Sequence, residues 1–138
     1  MQDNLNAFEC IEPDDAVYAE YSARFGPYNQ DATGWSVETF SLVQRDGARI
    51  TAGGRGLVYL EALEIRGLWV DDTRRGDGVG SRLLQAIEAE GTRRGAKKVM
   101  LYTYSWQAEA FYLRHGYEVY ARFDFPDGHY RVDMQKSL

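Results

Sequence analysis

The chain has 138 residues, 44% hydrophobic and 14% aromatic, with a formal net charge of −5 at pH 7. This suits a single domain over residues 1–138 with its own hydrophobic core, and excludes disorder. The negative balance argues against general nucleic-acid binding, no apolar run approaches a membrane span, and one cysteine, Cys10, leaves no internal disulfide.

Met1-Gln2-Asp3-Asn4 does not read as a signal peptide, so a cytoplasmic location is expected. Cys10, His115 and His129 form no zinc-ligand spacing, and no metal is expected. Charge is uneven: residues 1 to 50 carry nine acids against three arginines, and the remainder twelve acids against thirteen bases. An acidic first half beside a locally basic second half suits an anionic ligand meeting a cationic one.

In chain order, a short strand is expected around Phe8 to Ile11. A helix then starts at Pro13, with Asp14 and Asp15 in its first turn, and fades by Phe25-Gly26-Pro27. A polar loop leads to about Gly34. Val37 to Gln44 and Ile50 to Leu60 read as paired strands around Arg45-Asp46-Gly47. Leu63 to Val70 is the next strand, where Gly67 marks a bulge or a close backbone approach. A glycine-rich turn opens a helix from about Gly78 to Arg94, with Val79, Leu83, Leu84 and Ile87 on one side and Gly95 as its C-terminal cap. Lys98 to Tyr104 is a strand and Trp106 to His115 a short helix stopped by Gly116. Tyr117 to Phe125 and His129 to Gln135 form a closing hairpin around Pro126-Asp127-Gly128. This order is not the strict alternation of a doubly wound fold. It predicts an α/β layer, of α+β type, on a mixed, mainly antiparallel sheet.

The turn Arg74-Arg75-Gly76-Asp77-Gly78-Val79-Gly80-Ser81 sits between a strand and a helix. Glycines there expose N–H groups that no intrahelical carbonyl uses. Together with the helix dipole and two arginines they suit a phosphate or pyrophosphate. A nucleotide-binding loop closing on Gly-Lys-Ser/Thr is not matched, because Gly80-Ser81-Arg82 lacks the lysine. A dinucleotide fingerprint is only approximated, and the following strand ends Tyr102-Thr103-Tyr104 without an acid for a ribose. The pattern R/Q-x-x-G-x-G/A is met by Arg75, Gly78 and Gly80.

A second block, Ala108 with Phe111-Tyr112 and Gly116-Tyr117, follows the next strand. With Leu68-Trp69-Val70-Asp71 and the glycine turn, it resembles the GNAT superfamily of acetyl-CoA-dependent N-acyltransferases, over about residues 50 to 138. The resemblance implies a central sheet of about seven strands flanked by helices. It implies acetyl-CoA as the acyl donor, with its pyrophosphate on backbone N–H groups of Gly76, Asp77, Gly78, Val79, Gly80 and Ser81 and with Arg75 shaping the turn. Arg74, Arg82, Lys97 and Lys98 are candidates for the coenzyme's 3′-phosphate. Main-chain groups along Leu68, Trp69 and Val70 would hold the pantetheine arm, and an N–H near Leu68 would polarise the thioester carbonyl.

By the same resemblance Tyr112 is the general acid for the departing thiolate, since an ordinary phenol stays protonated at pH 7. The family often places an asparagine seven residues before that tyrosine, where this chain has Ser105. Glu64 is the candidate base, directly or through water. Glu61, Tyr102 and Tyr104 are others, and His129 resembles a histidine of a small bacterial subgroup, so the base stays open. The expected reaction is direct acetyl transfer in a ternary complex to a primary amine of a cationic small molecule or protein. Cys10 is too far from either motif for a covalent intermediate. The alternative is a non-catalytic acyl-CoA-binding or sensor domain, and the terminal strands offer a route to a homodimer.

Overall fold

The computed structural model describes residues 8–10 and 15–138. It comprises two compact units, Met1–Trp35 and Ser36–Leu138.

In the first unit, helix α1 spans Asp15–Thr33. Its end is capped: Thr33 Oγ1 donates to the Asn29 carbonyl and accepts from Trp35 N–H, while Gly34, at φ +67°, donates to the Gln30 carbonyl. This corrects the expected end near Pro27. That proline removes one N–H from the ladder but the helix continues through it, stopping where the Thr33-Gly34 cap satisfies its carbonyls. Phe8, Glu9 and Cys10 form no strand, and Ile11 and Pro13 lie outside the described residues.

The second unit is a six-stranded sheet among the described residues, one strand fewer than expected. Its strands are β1 (Glu38–Asp46), β2 (Arg49–Tyr59), β3 (Ala62–Val70), β4 (Lys98–Tyr104), β5 (Glu118–Asp124) and β6 (Tyr130–Ser137), in the spatial order β1-β2-β3-β4-β6-β5. Every neighbouring pair is antiparallel except β3 and β4, which run parallel. Helix α2 (Val79–Arg93) crosses between those two strands and α3 (Glu109–Arg114) follows β4. The mixed, mainly antiparallel sheet with flanking helices is thus as the sequence predicts.

α2 packs its Val79, Leu83, Leu84 and Ile87 stripe on the sheet, joining Leu63, Ile65, Val99, Leu101, Val132 and Met134 in one core. Alternation along β4 sends Val99, Leu101 and Thr103 into that core and leaves Tyr102 and Tyr104 on the opposite face. None of the described helices is long and apolar enough to cross a membrane.

β1 and β2 pair Phe40 with Gly56, and the Phe40 ring occupies the space a side chain at 56 would need. A Cβ there would lie 2.3 Å from Phe40 Cζ. Gly56→Ala is therefore expected to destabilise the protein by about 1–3 kcal/mol through overpacking, read as a lower urea midpoint at unchanged m-value.

Candidate functional site

β3 and β4 pair only over Ala62↔Lys98, Leu63↔Val99 and Glu64↔Met100, and then part. Between them opens a cleft of about 760 Å³ running from Ile65–Val70 on one wall to Leu101–Tyr104 on the other. The turn before α2 and Trp106, Gln107, Ala108, Phe111 and Tyr112 complete its lining.

The turn is built as an anion cradle. Gly76 and Gly78 take φ of +88° and +73°, a left-handed conformation that side chains disfavour, and Gly78 is the N-cap of α2. Helix geometry leaves the N–H groups of Val79, Gly80 and Ser81 without intrahelical acceptors. Arg75 reaches back, its Nε donating to the Val70 carbonyl at 3.1 Å and its Nη1 pairing with Asp72 at 2.7 Å. It therefore ties the turn to the end of β3. Arg66, Arg74 and Arg75 line the cleft, and among the described residues no carboxylate does. A polyanion such as coenzyme A fits this lining in both charge and donors.

Leu68, Trp69, Val70, Arg75, Gly76, Gly78, Val79, Gly80 and Ser81 all line the cleft, whereas Asp77 does not and instead offers its carbonyl to Arg82 at 2.9 Å. Arg74 lines it too, while paired with Asp46. Lys97 pairs with Glu61, and neither Lys97 nor Lys98 reaches the lining.

Tyr112 is buried at 7% exposure, yet its side chain lines the cleft. Burial alone pushes its pKa up to about 12. Desolvation disfavours the phenolate, so the proton stays on oxygen. Glu64 sits at the last paired position before the strands part, outside the lining. Tyr59 donates to its Oε2 at 2.8 Å and Arg66 Nε to its Oε1 at 2.9 Å.

Two features escape the sequence. His115 bridges the helices: the Phe111 carbonyl can only accept, so Nδ1–H donates to it at 2.8 Å, and Nε2 meets Ser81 Oγ at 2.9 Å. The segment after β4 is closed by Gln107, whose Oε1 accepts from Tyr104 N–H at 3.1 Å and from buried Thr103 Oγ1 at 3.3 Å. Neither residue carries a spacing signal. Among the described residues no group of three or more His, Cys, Asp or Glu could hold a metal ion.

A family model described as an acetyltransferase (GNAT) domain matches residues 36–119. Blasticidin-S acetyltransferase of Streptomyces morookaense is 40% identical over 80 residues, which is 56% of this chain and only 59% of that relative's length. An acetyltransferase from Bacillus cereus ATCC 14579 is 34% identical with a TM-score of 0.79, covering 94% of this chain and 98% of the other. An aminoglycoside 6′-N-acetyltransferase crystallised with coenzyme A shares the fold at 19% identity and a TM-score of 0.64, covering 72% of this chain and 73% of the other.

The raised phenol gives a pH test. Tyr112 in the fold loses its proton near pH 12, against about 10 in an unfolded chain. Its contribution is complete below pH 10 and is lost as pH climbs from 10 to 12. Over that window stability should fall on the order of 2–3 kcal/mol more steeply in the parent chain than in Tyr112→Phe, as read by urea unfolding in matched buffers. Equal slopes would mean that the phenolate is tolerated in place.

Proposed function

The chain belongs to the GNAT acetyltransferase family, whose acyl donor is acetyl-CoA, and we propose that it transfers the acetyl group directly to a primary amine. The observation that carries this reading is the buried, protonated Tyr112 phenol lining the same cleft as a pyrophosphate-type glycine turn.

On this reading the coenzyme's diphosphate lies on the N–H groups of Gly76 to Ser81, and its arm runs along the free edge of β3 beside Leu68 and Val70. A main-chain N–H near Leu68 meets the thioester carbonyl oxygen. The amine attacks the carbonyl carbon, charge builds on that oxygen, and the C–S bond breaks. Tyr112 donates to the departing sulfur. With its pKa raised to about 12 it is a firm hydrogen-bond donor rather than a strong acid. The proton shed by the attacking nitrogen then balances the one the thiolate takes up. Glu64 is the proposed collector of that nitrogen proton, through water, because Tyr59 and Arg66 already hold its two oxygens.

Thiol release should be followed over a panel of amines that includes blasticidin S and an aminoglycoside, the acceptors named for two of the similar proteins. Tyr112→Phe should lower kcat by about 10²–10⁴-fold while leaving the affinity for acetyl-CoA within about twofold. Unchanged turnover removes Tyr112 from the chemistry. No thiol release with any amine, despite tight coenzyme binding, favours an acyl-CoA sensor instead. Acetyl-CoA should also raise the melting temperature more than ATP or NAD at equal concentration. A larger shift with either nucleotide would assign the cradle to a different ligand.

A further inference from the structure

The glycine turn accounts for a phosphate-bearing ligand, but the end of the cleft that opens on the sheet face away from α2 is walled by aromatic rings, Trp69, Tyr102, Tyr104 and Trp106, beside Arg66. Tyr104 and Trp106 stack with ring centroids 4.8 Å apart and planes 11° from parallel. Trp106 is nevertheless 60% exposed and Tyr102 39%. Large rings left this open beside a preformed cleft are a surface awaiting a ligand.

The wall is held rigid. Ser105 N–H donates to the Tyr130 carbonyl at 2.8 Å, and Gln107 N–H to the Tyr104 carbonyl at 2.9 Å, fixing the segment that carries Trp106. The His129 ring meets the indole edge-on at 5.0 Å, and its Nδ1 lies 3.0 Å from Ser105 Oγ. The guanidinium of Arg131 lies 3.8 Å from the Tyr102 ring centroid, and it is itself held by Asp133 at 2.9 Å. Little conformational entropy remains to be lost when a second ring is laid against this surface.

Charge narrows the class of ligand. A polyamine or aminosugar needs free carboxylates, and among the described residues none lines the cleft. On this face of the sheet Glu64 and Asp133 are paired with Arg66 and Arg131, and Glu118 accepts from Gln135 at 3.1 Å. What remains on offer there is π-surface.

We infer that this end of the cleft is the acceptor subsite and takes an amine carried on a flat conjugated ring, which stacks on the Trp106–Tyr104 wall. The inference rests on the transferase reading for the word acceptor, but the ring selectivity is a property of the wall alone. It differs from the polycation that the acidic first half of the sequence suggests.

The test is calorimetric binding to the full chain saturated with coenzyme A, using phenethylamine, 2-cyclohexylethylamine and spermidine. The first two share an alkylamine arm and differ in the flatness of the ring. Phenethylamine should bind about tenfold more tightly than either other amine. Trp106→Leu should bring the two ring amines within about twofold, while Trp106→Phe retains the preference. Both variants should keep the parent affinity for coenzyme A, which also reports that they are folded. Equal affinities, tighter binding of spermidine, or no binding by any of the three overturns the inference. So does a loss of coenzyme affinity in Trp106→Leu with amine selectivity intact, which would give the wall to the coenzyme. Ring-selective binding without acetyl transfer leaves this inference standing and removes the transferase reading. Transfer to spermidine without ring selectivity does the reverse.

Discussion

The structure turns on a pairing that stops. β3 and β4 are neighbours in the middle of a sheet, yet they exchange backbone hydrogen bonds only up to Glu64 and Met100. Beyond that point two strand edges face each other with donors and acceptors unspent. Such groups must find partners, and an opening between them is filled by water or by a ligand with its own amides. The other features of the site follow from it: the depth of the cleft, its main-chain walls, and its position below the start of α2.

The same parting sets the charge of the cleft, whose lining among the described residues holds no carboxylate. α2 has to travel from the end of β3 to the start of β4, so its N-terminus sits over the gap and its dipole points in. Arg75 keeps it there by gripping the Val70 carbonyl, a main-chain acceptor freed near the end of β3. Ion pairing elsewhere removes the acids from competition: Asp46 engages Arg74, Asp72 engages Arg75, and Glu64 engages Arg66. The cleft is left with fixed positive charge at its rim and aromatic carbon at its far end.

Much of this was legible in the residues because it rests on local rules. Alternation placed β4 to the residue, Lys98 to Tyr104, and left-handed glycine at 78 with an apolar stripe behind it located α2 to within one residue at each end. Nine of the ten coenzyme contacts expected from Leu68 to Ser81 line the cleft, because consecutive residues in one turn share one environment. What failed was non-local. The fate of Pro27 depended on the Thr33-Gly34 cap downstream of it. The Ser81–His115 bridge joins positions 34 residues apart, and the pairing of Glu64 with Tyr59 and Arg66 depends on how three strand positions face one another. No single-sequence pattern encodes such meetings.

Gly67 shows how a correct local reading can still miss its consequence. The register runs Arg55↔Arg66 and then Gly53↔Trp69, so two residues of β3, Gly67 and Leu68, stand opposite Gly54 alone. Gly67 absorbs the extra residue at φ +66°, where a β-carbon would be strained. Each insertion of one residue reverses the inside-outside phase of everything after it. Ahead of the bulge Leu63 and Ile65 point into the core. Had the alternation continued unbroken, Trp69 would have joined them, and Leu68 and Val70 would have faced away. Instead Leu68 and Val70 pack against the core and Trp69 is 46% exposed. The bulge therefore does two things at once. It interrupts the regular pairing of β3 with β2, and it turns a large aromatic ring out of the core onto the cleft wall.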